Sequence, residues 1–308
     1  MKYIVTGGAG FIGSHIAGSL ARDHEVVILD NLFSGKEENI RHLLDVSTLR
    51  FVRGSVTDLT LLRELCEGAR GVFHQAAIAS VPRSLENPLA TNEANITGTL
   101  NVLVAARDAG VKKVVFASSS SVYGDTEVLP KREEMTPAPK SPYAVSKLAG
   151  EHYCRVFSEV FGLSTVALRY FNVFGPRQDP KSDYAAVIPR FITRILENES
   201  PIVHGDGRQT RDFTYVSDVV QANVKAMESS ADGVFNIACG RRIDLLELCS
   251  VIMEKTGRHP PLRFGDPRPG DVRDSLADIS AARDAFGYNP EYTLERGLEE
   301  TIAWYRQR

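Results

Sequence analysis

Short apolar runs alternate with amphipathic stretches through the first 170 residues. Lys2-Tyr-Ile-Val-Thr6, Val26-Val-Ile-Leu29, Leu49-Arg-Phe-Val52, Gly71-Val-Phe-His74, Lys113-Val-Val-Phe116 and Ser164 to Tyr170 have the length and β-branched content of strands. Between them, Ser14 to Arg22, Asp58 to Glu67, Asn87 to Gly110 and Tyr143 to Phe161 read as helices; Pro88 suits a first turn, and Gly110 and Gly162 are stop signals. Strand–helix alternation with apolar strands predicts a parallel sheet covered on both faces. Ligands of such sheets lie at the carboxyl ends of the strands. Gly7, Asp30, Gln75, Ser118 to Ser121 and Asn172 each follow a predicted strand, so they are expected to meet in one crevice.

The pattern loosens after Tyr170. Gly175 to Tyr184 is rich in turn residues, and Val187 to Glu197 is an amphipathic helix. Further strands are predicted at Pro201–His204, Val234–Ala238 and Leu262–Phe264, and helices at Ser217–Glu228, Asp244–Thr256 and Leu294–Arg306. The expected fold is α/β: a doubly wound parallel-sheet Rossmann domain with a smaller α/β C-terminal lobe for substrate. Residues 1–171 form the first, with 211–239 returning to it; 172–210 and 240–308 form the lobe.

Composition narrows the classes. The 308 residues are 43% hydrophobic and 24% charged, with a net charge of −3 and no dense basic run, which argues against nucleic acid as a partner. Cys66, Cys154, Cys239 and Cys249 lie far apart, with no histidine at metal-ligand spacing; they read as buried thiols, and no metal is expected. No apolar run approaches the roughly 20 residues needed to cross a bilayer. Met1 leads straight into the first strand, leaving no room for a signal peptide. The expectation is a soluble cytoplasmic protein without membrane attachment.

Chemistry enters at two places. Gly7-Gly-Ala-Gly-Phe-Ile-Gly13 sits between a strand and a helix, and the next strand ends in Asp30. Glycines there let the backbone turn tightly and approach a pyrophosphate, which then faces the amides of a helix start. A carboxylate at Asp30 accepts ribose hydroxyls and repels a 2′-phosphate, so NAD is expected rather than NADP. Downstream, Phe116-Ala-Ser-Ser-Ser-Ser-Val-Tyr-Gly124 precedes Ser141-Pro-Tyr-Ala-Val-Ser-Lys147. Tyr143 and Lys147 share one helix face. A phenol titrates near pH 10; an ammonium one turn away, with a cationic nicotinamide ring nearby, would lower that value and make Tyr143 a base. Ser119 is placed to share the same substrate hydroxyl.

Thr6-Gly-Gly-Ala-Gly-Phe-Ile-Gly13, the serine run and Tyr143-x-x-x-Lys147 resemble the extended short-chain dehydrogenase/reductase family along nearly the whole chain. Leu168-Arg-Tyr-Phe-Asn-Val-Phe-Gly-Pro-Arg-Gln178, Thr210-Arg-Asp-Phe213 and Arg268-Pro-Gly-Asp271 resemble its UDP-hexose 4-epimerases. The resemblance implies that Tyr143, Lys147 and Ser119 are catalytic. It implies an NAD site of Gly7, Gly10, Phe11, Ile12, Gly13, Asp30, Asn31, Ser34, Gly35, Ser55, Val56, Gln75, Ala76, Ala77, Asn95, Ser118, Tyr143, Lys147, Tyr170 and Val173. The UDP-sugar would meet Ser80, Ser119, Ser120, Ser121, Tyr143, Asn172, Ala186, Val187, Val203, His204, Arg211, Arg268, Asp271 and Ser275. Arg211 and Arg268 would face the diphosphate and Asp271 a ribose hydroxyl. Gly54-Ser-Val56 departs from the Gly-Asp pattern common in the family, which puts an adenine contact in doubt.

The implied reaction is transient oxidation at C4 followed by return of the hydride to the other face. Ser120-Ser121 stand where 4,6-dehydratases have Asp-Glu, which disfavours dehydration. Arg83, Arg177 and Arg190 keep a uronate 4-epimerase or decarboxylase open, surface ion pairs being the preferred reading of them. A non-catalytic NAD-binding scaffold is disfavoured, since it would have no reason to keep Tyr143, Lys147 and Ser119 together; a net reductase that releases NADH stands as a third reading. Ser275, small where strict hexose enzymes are bulky, implies UDP-GlcNAc/UDP-GalNAc interconversion, with UDP-glucose/UDP-galactose as well; Ala79, where strict acetamido enzymes tend to have glycine, points to that breadth. The resemblance further implies a homodimer through the helices 87–110 and 143–161, with Leu100, Leu103, Val104, Val156 and Val160 as candidates.

Overall fold

The computed structural model describes residues 1–180, 186–266 and 272–307. β1 (Lys2–Thr6) passes through the glycine turn into α1 (Phe11–Leu20), followed by β2 (Glu25–Asp30) and β3 (Leu49–Arg53). Next come α2 (Leu59–Cys66), β4 (Gly71–His74), α3 (Val81–Glu86) and α4 (Pro88–Asn92), which runs through a π-helical turn, Glu93–Thr97, into α5 (Gly98–Asp108). β5 (Lys113–Ser119), α6 (Pro142–Phe161) and β6 (Ser164–Tyr170) complete the first half. The second half contributes β7 (Val173–Phe174), α7 (Val187–Leu196), β8 (Ile202–His204), β9 (Thr210–Arg211), β10 (Thr214–Tyr215) and α8 (Val216–Glu228). β11 (Gly233–Ile237), β12 (Ile243–Asp244), α9 (Leu245–Thr256), β13 (Arg263–Gly265), α10 (Ser280–Phe286) and α11 (Leu294–Arg306) end it.

Among the described residues, seven strands form one parallel sheet in the order β11-β6-β5-β4-β1-β2-β3. The direction of winding reverses between β1 and β4, and a crevice opens at such a switch point. Thr6 pairs with both Leu29 and His74, so Gly7, Asp30 and Gln75 leave the sheet at one level. Because side chains alternate along a strand, Val5, Val26, Ile28, Phe73 and Val115 pack on one face with α1 and α8. Ile4, Val27, Leu29, Val72, Val114 and Phe116 pack on the other with α2, α5 and α6. A separate core gathers Phe174, Phe191, Val203, Phe213, Leu248 and Leu298 in the C-terminal lobe.

Several expectations shift. α1 starts at Phe11, not Ser14, because Gly10 caps it in an extended conformation. β5 runs on to Ser119, pairing Ser118 with Arg169 and Ser119 with Tyr170, so both serines lie on the strand instead of after it. The helix predicted over 87–110 is divided at the π turn. α3 and α10 were not foreseen; both are a turn or two long and carry little periodic signal. Leu103 is fully buried in the sheet-facing core and Leu100 and Val104 pack against it, whereas Val156 and Val160 are 41% and 67% exposed. Leu103 is thereby closed to a partner, Leu100 and Val104 are partly exposed, and Val156 and Val160 are the most open of the five. No helix among the described residues is long and apolar enough to cross a membrane. All four cysteines are free thiols.

Candidate active site

The glycine turn is built by close backbone approach. Gly7 has φ 68°, and a Cβ there would fall 2.6 Å from the Ala76 nitrogen; one on Gly13 would fall 2.2 Å from the Gly7 carbonyl. Both clashes are with backbone, so no side chain fits at either place. Asp30, buried at the end of β2, accepts from the Ala9 and Leu32 amides at 3.0 and 2.8 Å. Burial raises its pKa while those amides oppose the rise. Gly35 closes over it, with space for no Cβ closer than 2.8 Å to the carboxylate. A glycine cradle at a helix start, with a carboxylate across from it, fits a dinucleotide. Asn31 holds the Phe33 amide, and Ser55 pairs with Thr57 at the next strand end. Phe11 and Ile12 open α1, Ser34 precedes Gly35, and Val56 is buried under Gly98.

Ser141 caps α6 by accepting from the Ala144 amide at 3.1 Å, and Pro142 occupies the first turn, which fixes where Tyr143 emerges. Burial raises the pKa of the Tyr143 phenol, and the Ser119 hydroxyl opposes the rise. Lys147 is buried and donates to the Ala117 carbonyl at 2.8 Å, with Nζ 5.1 Å from the Phe116 ring centre and 5.9 Å from that of Tyr143. Burial pushes its pKa down to about 7. Lys147 is thus tied to β5 through Ala117, on the helix face it shares with Tyr143.

Other candidates are committed to protein partners. Ser118 donates to Glu151 of α6 at 2.5 Å. Asn95 takes the Ile78 amide at 2.8 Å and donates to the Ser146 hydroxyl at 2.9 Å. Gln75 and Tyr170 bond each other and Asn223. Val203 has no exposed surface, which removes its side chain from direct substrate contact. Ala76 donates to the Thr6 hydroxyl at 3.4 Å, Ala77 follows it, and Val173 accepts from Gln178 at 3.1 Å.

On the substrate side, Asn172 (φ 34°) donates to the Asp212 carbonyl at 3.1 Å and to Ser275 at 3.3 Å. Ser275 in turn donates its amide to Thr210, whose carbonyl also takes Arg211 Nη1 at 2.9 Å. His204 bonds the Asp266 carbonyl, Ser80 caps α3, and Ala186 and Val187 start α7. Ser120 and Ser121 begin a 3₁₀ turn, where the Ser121 hydroxyl is buried with no partner. Arg268 and Asp271 lie outside the described residues. Arg83 stands over the Phe33 ring at 5.9 Å, and Arg177 reaches His42 at 3.0 Å.

Three features were not foreseen. Arg169, inside β6, makes a bidentate pair with Glu151 at 2.9 and 2.7 Å, both side chains 4% exposed, and stacks on Tyr123. His74 bridges Thr6 at 2.7 Å and Thr99 at 2.9 Å, held neutral by burial, which lowers its pKa to about 3. Asp212 accepts the amides of Cys239, Gly240 and Ala277, tying the lobe to the end of β11. A charged residue inside an apolar strand was the legible signal for Arg169.

The family model for the NAD dependent epimerase/dehydratase family matches residues 3–238. A UDP-glucose 4-epimerase of Mycolicibacterium smegmatis is 38% identical over 312 residues, covering 100% of this chain and 99% of its own. A UDP-N-acetylglucosamine 4-epimerase from Methanobrevibacter ruminantium, solved with UDP-N-acetylmuramic acid, superposes with a TM-score of 0.97 at 44% identity over 99% of this chain and 98% of its own. A UDP-glucuronic acid 4-epimerase from Bacillus cereus, solved with UDP-glucuronic acid and NAD, gives 0.93 at 34% identity, covering 100% and 99%. The glycine cradle, the Tyr143–Lys147 face and these end-to-end matches place the chain in the NAD-dependent epimerase/dehydratase family.

Proposed function

We propose that this protein is a UDP-sugar 4-epimerase that interconverts UDP-GlcNAc and UDP-GalNAc, and UDP-glucose and UDP-galactose. The observation that carries the reading is the Ser119 hydroxyl acting on the Tyr143 phenol, with Lys147 anchored one turn away on the same helix. Tyr143 takes the proton from the sugar O4 and returns it after the ring has turned; Ser119 holds the same oxygen, and Lys147 fixes the cofactor ribose and the phenol. Bound NAD supplies the hydride acceptor and donor. Asn172, Arg211 and Ser275 stand together as the wall that would hold the nucleotide end while the hexose rotates.

A small side chain at Ser275, buried beside Asn172, leaves room near the sugar and supports the acetamido reading. Relatives acting on uronates keep a second reading in view. Two of the three arginines considered as carboxylate readers are engaged elsewhere, Arg83 over Phe33 and Arg177 on His42, which supports a neutral hexose. Incubating the NAD-loaded protein with the four UDP-sugars and UDP-glucuronate, and resolving 4-epimers by chromatography, tests both. Turnover of UDP-GlcNAc is expected; turnover of UDP-glucuronate alone would overturn the assignment.

A further inference from the structure

A groove of about 850 Å³ lies on the outer side of α1, between that helix, residues 42–48 and α8. α1 buries Gly13, Ser14, Ile16, Ala17 and Leu20 against the sheet, and the groove is lined by the opposite side, His15, Gly18 and Ser19, and by Arg22 in the turn after the helix. Apart from Arg177, none of the candidate cofactor or substrate residues lines it. Its ionisable groups are His15 from α1, Arg22 from the turn after it, His42 from the 3₁₀ turn Arg41–Leu43, and Arg177; no carboxylate is among the lining residues. Asp218, in the first turn of α8, is turned away to accept the amides of Glu291 and Tyr292. Ser19, Ser47, Thr48 and Ser217 add hydroxyls.

Arg177 carries two anomalies. Its backbone is left-handed (φ 69°), a conformation that disfavours a side chain with a Cβ. Its Nη1 is buried with no hydrogen-bond partner. Buried guanidinium N–H groups are ordinarily satisfied, and backbone outliers gather at functional places. The neighbouring imidazoles are arranged around the same residue. Arg177 Nη2 can only donate, so His42 Nε2 at 3.0 Å accepts and the proton sits on Nδ1. His15 Nε2 donates to the Pro176 carbonyl at 3.0 Å, leaving its Nδ1 without a proton. Burial and the Arg177 charge lower the pKa values of both, that of His15 to about 4, so the site is built with one desolvated cation and two neutral rings that an anion would favour charging.

We infer that this groove is a second ligand site, separate from the dinucleotide crevice, which takes a small phosphate-bearing anion on Arg177. Guanidinium forks suit phosphate oxygens, and the volume admits more than a bare ion. The test follows the imidazole resonances of His15 and His42 in the NAD-loaded protein, with orthophosphate or glucose 1-phosphate added at constant ionic strength against potassium chloride. Both resonances are expected to shift saturably, while His74, sealed between Thr6 and Thr99, does not. Saturation by both anions identifies a phosphate ester as the natural class, and by orthophosphate alone free phosphate. Arg177→Gln should weaken binding by roughly tenfold or more, as loss of a charge-assisted pair does; Arg22→Gln, on the exposed rim, provides a second variant should the first fail to fold. Shifts no larger than those in chloride, or undiminished affinity in the folded variants, would overturn the inference.

Discussion

Lys147 Nζ lies 5.9 Å from the centre of the Tyr143 ring, one turn along α6, yet its hydrogen bond goes to the Ala117 carbonyl at 2.8 Å. The ammonium is thus fixed by the sheet before any ligand arrives. Burial lowers its pKa from 10.5 to about 7. Between those values the unfolded chain binds a proton that the folded protein does not, so this group makes stability rise with pH across the window and fall back as pH drops toward 7. In NAD-free protein, the stability of wild type relative to Lys147→Met should therefore increase from pH 7 to pH 10 in urea melts. A flat difference would show that the buried amine keeps its proton.

Glu151 sits one turn beyond Lys147 and receives Arg169 on both oxygens, with Ser118 on one of them. Removing one member leaves a buried charge without compensation. Glu151→Ala is expected to cost about 3–5 kcal/mol, the range for breaking a buried pair. The urea midpoint measures it, and a loss under 1 kcal/mol would mean that Arg169 finds another partner.

Much of this was legible beforehand, and the misses have physical causes. Lys2–Thr6, Gly71–His74 and Ser164–Tyr170 were bounded correctly because strands buried on both faces carry apolar runs, Arg169 being the charged exception in β6. Gly10 hid the start of α1, since a glycine cap reads as part of the turn. Ser118 and Ser119 looked like a loop by composition, although pairing with Arg169 and Tyr170 holds them in β5. The inward commitments of Asn95, Ser118 and Val203 depend on which way a side chain turns, and residue type does not encode that. Arg177 was weighed as a carboxylate reader; only the fold turns it behind α1.

Ser275 donates its amide to the Thr210 carbonyl, and its hydroxyl accepts from Asn172. Ser275→Tyr should fill the space an acetamido group needs. The expected result is a fall of about tenfold or more in kcat/KM for UDP-GlcNAc, with UDP-glucose changed far less, matching about 1–3 kcal/mol for a pocket of altered size. Equal losses on both substrates would remove Ser275 from specificity.

The account rests on the Tyr143 phenol moving the proton of the sugar hydroxyl, and Tyr143→Phe addresses it directly. Removing one oxygen should lower kcat for UDP-GlcNAc or UDP-glucose by about 10²–10⁴, the contribution of a positioned acid–base group. The variant should fold and retain NAD, because the cradle of Gly7, Gly13 and Asp30 is untouched. Steady-state turnover of both proteins, at matched NAD content, is the decisive measurement: a collapse in kcat is predicted, and turnover within twofold of wild type would contradict the proposed chemistry.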